Sequence, residues 1–144
     1  MKLQFHPESK VLRQVCAEVT AKDHVKPILR GMAKIMQQNQ GIGIAAPQVG
    51  IPKRIILVRR RIDQFQVMIN PKIISASLTM SESAEGCLSL PGIIAKVSRH
   101  SSVKVSFLDG FLEQQEQEYF GIESHCVQHE IDHLNGIMMI DHQL

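Results

Sequence analysis

The stretch Ile122-Glu-Ser-His-Cys-Val-Gln-His-Glu-Ile-Asp-His-Leu134 narrows what this chain can fold into more than any other. Its pattern is helical, with Asn135-Gly136 as the stop. Ile122, Cys126, Val127, Ile131 and Leu134 spread around the helix instead of forming one stripe, so most of its sides are expected to be buried. The same helix carries His129, Glu130, Asp132 and His133. Burying imidazoles and carboxylates without partners costs several kcal/mol. The rest of the chain must therefore both enclose this helix and satisfy its polar groups.

The enclosing material reads mainly as strands. Arg54-Ile-Ile-Leu-Val-Arg59, Gln64-Phe-Gln-Val-Met-Ile69 and Lys72-Ile-Ile-Ser-Ala-Ser77 are short β-branched runs, bounded by Pro52, Asn70-Pro71 and polar residues. Ser102-Val-Lys-Val-Ser-Phe107 alternates at period two, Asp109-Gly110 marks a turn, and Phe111 to Phe120 can return as its partner. The connections are too short for parallel crossovers, so mostly antiparallel sheet is expected. Upstream, Val25, Ile28, Leu29, Met32, Ile35 and Met36 recur at helical spacing, predicting an amphipathic helix over 24–39. Asp23 can cap its start and Gly41 can take the left-handed turn after its end. At 144 residues the chain is expected to form one α+β domain over 1–144.

Composition excludes several function classes. No run approaches the ~18–20 apolar residues of a membrane span. The opening MKLQFHPESK has no apolar leader, so a cytoplasmic location without membrane partners is the expectation. Three cysteines without an export signal point to reduced thiols, one of them free for a metal. A net charge of +2 is too small for a general nucleic-acid surface, and no specific nucleic acid is expected. The local cluster Lys53, Arg54, Arg59, Arg60 and Arg61 reads as a solvated strand edge.

His129 and His133 are four apart, so a helix points them from one face, one turn apart, where two imidazoles can share an ion. Glu130 beside them can hold a metal-activated water and take its proton. Such a site usually has three protein ligands, and Cys126 and Cys87 both remain open as the third. Cys126 shares the face of His129; Cys87 lies in Glu85-Gly-Cys-Leu-Ser-Leu-Pro91, an irregular segment able to approach another element. Asp132 lies off that face and reads as a structural hydrogen-bond acceptor. His125 is near the metal face, whereas His6, His24, His100 and His142 read as surface or cap residues. Gly41-Ile-Gly-Ile-Ala-Ala-Pro-Gln-Val-Gly50 is no phosphate loop, because it follows a helix and Pro47 interrupts where a helix should open. Its small residues allow close backbone approach, and Gln48 either presents its amide as a donor or faces solvent from a packed turn.

Three stretches together resemble the signature segments of the peptide deformylases, in the same order: GIGIAAPQVG at 41–50, EGCLSLP at 85–91 and QHEIDHLNG at 128–136. The resemblance extends over nearly the whole chain and implies antiparallel sheets wrapped around the helix bearing the histidines. It implies Cys87, His129 and His133 as ligands of one divalent metal ion, Fe2+ in the cell, with Zn2+ or Ni2+ able to replace it. It also implies hydrolysis of the formyl group from N-formylmethionyl peptides or nascent chains, with weak proximity to the ribosome. In that scheme Glu130 handles the proton, while the Gln48 amide and the backbone N–H of Leu88 meet the formyl oxygen. The peptide would lie along a strand edge at Gly43-Ile44, and Ile44, Ile122 and Cys126 would line the methionine pocket. Many bacterial members continue into a long C-terminal helix, which is not expected before Leu144. A zinc peptidase and a catalytically idle binder of peptide amino termini are the competing readings.

Overall fold

Residues 1–61 and 64–144 are described by the computed structural model, apart from the side chain of Arg61. Its spine is one antiparallel sheet. Strands β1 (Gly43–Ala45), β2 (Ile55–Arg61), β3 (Gln64–Ala76), β6 (Ser102–Leu108) and β7 (Gln114–Phe120) pair in the order β1-β2-β3-β6-β7. Between β3 and β6 the chain makes a separate antiparallel pair, β4 (Met80–Glu85) and β5 (Ala95–His100). Helix α1 spans Val25–Gln38 and helix α2 spans Gly121–Leu134.

The unbroken apolar run Ile55-Ile56-Leu57-Val58 shows why the sheet sits between the helices. Successive side chains on a strand point to opposite faces. Ile55 and Leu57 pack with Met32 and Met36 of α1, while Ile56 and Val58 pack with Val127, Ile131 and Leu134 of α2. With both faces covered, the strand has no polar alternation. A third cluster joins Ala95 and Val97 of β5 to Leu12, Leu90, Met138 and Met139, which seats the β4-β5 pair against the segment that follows α2.

Several expectations needed correction. The two short strands expected at 64–69 and 72–77 are one, β3, with a register shift between Ile69 and Lys72. Asn70 takes a left-handed φ of 52° there, and its side chain is tied to Val19 by hydrogen bonds of 2.8 and 3.0 Å. A bulge with a tertiary anchor thus carries the strand through Asn70-Pro71. Asp23 does not cap α1; His24 occupies that position, and the Asp23 carboxylate accepts from the Thr20 N–H and pairs with Lys53. The left-handed residue after α1 is Gln40 (φ 54°), not Gly41, which instead lies close to Leu88 and Met36. Gly136 does terminate α2 with φ 72°, and a Cβ there would fall 2.6 Å from the Arg13 carbonyl oxygen.

The β6-β7 turn sits as expected, though the return strand begins at Gln114 rather than Phe111. Strands β4 and β5 went unread, and β1 was expected only through the family resemblance, as a strand edge at Gly43-Ile44. β4 has the sequence MSESAE, with no apolar period to reveal it. Among the described residues no α-helix follows α2, only a 3-10 turn at Met139–His142, and no helix is long and apolar enough to cross a membrane.

Candidate functional site

Helix α2 aims His129 and His133 from adjacent turns into the gap between β1 and β4. Their ring centroids are 5.0 Å apart and their Nε2 atoms 3.2 Å apart. The segment after β4 brings Cys87 to them, its Sγ 3.4 Å from His133 Nε2. One donor atom from each of the three residues lies within 4.8 Å of the others. Cys126, the other thiol the sequence left open, lies against Gly43 instead, with its Sγ 3.6 Å from the Ile42 carbonyl oxygen. Burial pushes the Cys126 thiol well up, which suits packing and not ligation.

The donor set fits a divalent transition metal. A thiolate and two imidazoles are soft to borderline ligands of the kind that hold Fe2+, Zn2+ and Ni2+, and three of them leave a fourth position for water or substrate. Three lone-pair atoms gathered at such distances have too few protons to satisfy one another, and a cation resolves that conflict. Two buried atoms beside them, Glu130 Oε1 and His133 Nδ1, have no hydrogen-bond partner among the described residues.

Glu130 is 4% exposed, and burial pushes its carboxyl up to about 7. A Cβ added to Gly43 would stand 2.6 Å from Glu130 Oε2 and 2.8 Å from Cys126 Sγ, so only glycine lets β1 pass this close to α2. Gln48, 1% exposed, sits on a turn just after β1. Its Oε1 accepts the Ala45 N–H at 2.9 Å, which turns Nε2 toward Ser89 Oγ (3.3 Å) and Cys87 Sγ (3.5 Å). The amide donor is therefore held facing Cys87, not solvent. Leu88, next to Cys87, lines the same cavity.

Behind the ligands runs an ion-pair chain the sequence reading missed. Glu85 Oε1 meets His129 Nδ1 at 2.8 Å, and Arg99 donates to both Glu85 oxygens at 2.6 and 2.9 Å. Arg99, 5% exposed, also donates to Asp132 at 2.9 Å, so Asp132 is the structural acceptor expected of it, with His142 at 3.1 Å. Burial alone would raise Glu85, but His129 and Arg99 outweigh it and hold the carboxyl down at about 2. A carboxylate on the far nitrogen fixes the tautomer of a ligand histidine and raises its basicity. The sequence signal for Arg99 is that it is the one charge at an inward position of β5, in step with Ala95 and Val97. "EGC" placed Glu85 next to the thiol without saying which way it pointed.

The ligands open onto a cavity of about 810 Å³ between β1, β4 and α2. Gly43 and Cys126 line it, and Ile122 lines its mouth at 81% exposure, not buried as its helix position suggested. Ile44 does not fit the expectation made for it: its side chain is fully buried in the α1 cluster, on the opposite face of β1, and Ile42 and Gly43 face the cavity. Alternation within β1 turns Ile44 away from α2 once Gly43 faces it; Ile42 precedes the strand and is not bound by that alternation. His125, one turn before His129, is buried with a serine hydroxyl 2.7 Å from each ring nitrogen, Ser81 and Ser83.

Known proteins resemble this chain in sequence and in fold. The sequence model of the family described as polypeptide deformylase matches residues 3–143. A peptide deformylase of Prochlorococcus marinus is 40% identical over 127 residues, covering 85% of this chain and 63% of its own. That of Natranaerobius thermophilus is 39% identical, covering 93% of this chain and 86% of its own. This chain spans 63% of the length of that Prochlorococcus relative. Among solved structures, a class I type b peptide deformylase from Acinetobacter baumannii with Met-Ala-Ser bound superposes with a TM-score of 0.91 at 34% identity, covering 99% of this chain and 97% of its own. A probable peptide deformylase from Synechococcus phage S-SSM7 superposes at 0.93 with 36% identity, covering 99% of each chain. On sequence and on structure alike, this chain belongs to the polypeptide deformylase family.

Proposed function

We propose that this chain hydrolyses the N-formyl group from N-formylmethionyl peptides, giving formate and a free α-amino group. Cys87, His129 and His133 would hold one divalent ion, Fe2+ in the cell, with Zn2+ or Ni2+ accepted by the same ligands. When bound, that ion supplies Lewis acidity, which lowers the pKa of a coordinated water from ~16 toward ~7. Glu130 accepts the proton of the attacking water and delivers it to the departing amine, so the two hydrolytic proton transfers use one carboxylate. Negative charge gathers on the formyl oxygen. The Gln48 Nε2–H, oriented by Ala45 and Ser89, and the backbone N–H of Leu88 are the chain's donors to it.

Strand β1 lies at the edge of the sheet, and Ile42 accepts from Arg59 across the β1-β2 ladder. Hydrogen-bonding direction alternates along an antiparallel strand, so Gly43 turns its backbone groups toward the free edge, where an extended peptide can align. Ile122 and Cys126, with Ile42 in place of Ile44, would contact the methionine side chain. Nascent chains in the cytoplasm, near the ribosome, are the partners this reading implies.

The observation that carries the proposal is the convergence of three ligand atoms within 4.8 Å beside Glu130, a buried carboxylate with one oxygen unpartnered. The relative solved with Met-Ala-Ser supports a peptide of this kind as ligand. The test is formate release from formyl-Met-Ala-Ser by anaerobically prepared, iron-loaded protein, run beside unformylated Met-Ala-Ser. Formate from the first and no cleavage of the second is the expected result. Cleavage of an internal amide regardless of the formyl group would show a peptidase. Binding without formate, unchanged by Glu130→Ala, would show a binding protein.

A further inference from the structure

Strand β4 turns an all-polar face toward α2. Ser81, Ser83 and Glu85 are its half-buried side chains, and Met80, Glu82 and Ala84 point out to solvent. Glu85 is accounted for by His129 and Arg99. The two serines are not. They grip His125, with Ser81 Oγ 2.7 Å from Nε2 and Ser83 Oγ 2.7 Å from Nδ1, and all three side chains line the cavity.

A count of protons shows what this wall can offer. Burial pushes the His125 imidazole down, keeping it neutral, and a neutral ring has one N–H and one acceptor nitrogen. One serine must therefore donate to the ring and the other accept from it. The accepting serine keeps its own O–H. Neither hydroxyl has a further hydrogen-bond partner among the described residues. One hydroxyl proton is thus left over at the cavity surface, held in place because its oxygen is anchored to a buried ring. While the cavity is wet, water can take that proton. A ligand side chain that displaces the water must accept the proton itself or leave a buried donor unpaired.

We propose that the Ser81–His125–Ser83 wall is a specificity element, selecting a first side chain of methionine size that carries a hydrogen-bond acceptor near its tip. A thioether qualifies weakly, and the sulfoxide oxygen of oxidised methionine strongly. The isosteric hydrocarbon norleucine does not. The inference rests on the deformylase reading for placing the peptide's first side chain in this cavity. A purely structural role, pinning β4 to α2, would hold the fold together without distinguishing these three side chains.

Equilibrium binding separates the two without requiring turnover. Zinc-loaded protein is titrated by calorimetry with Met-Ala-Ser, norleucyl-Ala-Ser and methionine-sulfoxide-Ala-Ser. We expect the sulfoxide peptide to bind at least as tightly as Met-Ala-Ser and about 10-fold tighter than the norleucine peptide, the upper range for one neutral hydrogen bond. Ser81→Ala/Ser83→Ala/His125→Leu, which removes the hydroxyls and the ring N–H together, should reverse that order, and Ser81→Thr/Ser83→Thr, which keeps the hydroxyls, should preserve it. Equal or tighter binding of the norleucine peptide by the unaltered protein overturns the proposal, as does an unchanged order in the folded triple variant or no binding of any of the three. The unaltered protein alone can overturn it, so loss of a variant to misfolding does not remove the test. Formate release from formyl-Met-Ala-Ser, measured on the same preparation, reports on the deformylase reading separately: expected order without formate sinks that reading alone, and formate with the reverse order sinks only the wall.

Discussion

Helices α1 and α2 are each 14 residues long and pack on opposite faces of one sheet, yet they are built on different terms. α1 buries Val25, Met32 and Met36 on a single stripe and leaves its other faces to solvent. α2 buries ten residues, among them Ser124, His125, Gln128, His129, Glu130 and His133. The first helix gains stability from apolar area alone. The second buries polar groups at a desolvation cost that has to be offset partner by partner: Gln128 by the His100 carbonyl and Ser124, His125 by two serines, His129 by Glu85. Glu130 Oε1 and His133 Nδ1 are the buried atoms left without a hydrogen-bond partner among the described residues, and the Nε2 atoms of the two histidines face each other at 3.2 Å. A helix organised only for stability would not keep them, so the contrast locates function as well as fold.

The contrast can be attacked at several points, with the largest consequence expected at the ligands. Cys87→Ser should abolish bound metal and formate release together, whereas Cys126→Ser should retain metal; elemental analysis of the two purified proteins decides, and the reverse pattern would overturn the ligand assignment. Next, Glu130→Gln should lower kcat by about 10²- to 10⁴-fold, the range for loss of a positioned acid–base group, while metal content and melting temperature hold steady. A comparable fall in metal content would mean that the residue is structural.

Arg99→Met probes the support behind α2. It removes both Arg99 hydrogen bonds from the buried Glu85 carboxylate, which keeps only His129, so urea unfolding should show a loss of about 3–5 kcal/mol, the cost of breaking a buried pair from one side. On the other helix, Met36→Ala should cost about 2–5 kcal/mol of stability through cavity formation, with the metal content of the folded protein unchanged. Loss of metal at Met36→Ala would erase the division of labour between the helices.

The smallest effect is expected at Tyr119, next to the start of α2 and wedged among Arg60, Gln66 and the core. Burial pushes its phenol up to about 12, against an ordinary value of 10.0. A raised acid binds its proton more tightly in the folded state, so this stabilisation is complete below pH ~10 and disappears as the pH rises toward ~12. Tyr119→Phe loses the 2.7 Å hydrogen bond to Gln66, so it should be less stable than the parent by about 0.5–1.5 kcal/mol below pH 10. The gap should narrow between pH 10 and 12, as read from melting temperatures of both proteins. A gap constant with pH would show that the phenol titrates normally.

What neighbours along the chain dictate was legible from the sequence. The period of α1, the Asn-Gly stop of α2, the alternation of β6 and the four-residue spacing of His129 and His133 all follow from local backbone geometry, which is the same wherever the element lies. The three signature stretches then indicated the family and the ligand set it implies. What they left open was decided by chain closure across long separations: Cys87 reaches His133 over 46 residues of sequence, and Gln48 reaches Cys87 over 39. The same closure chose Gly43 over Ile44 as the face turned to α2, recruited Arg99 to hold Glu85, and set the serines of an unpatterned strand on either side of His125. Such contacts have no period to read. A buried polar group's free energy depends on which partner arrives from elsewhere in the chain, and only the packed tertiary structure specifies that partner.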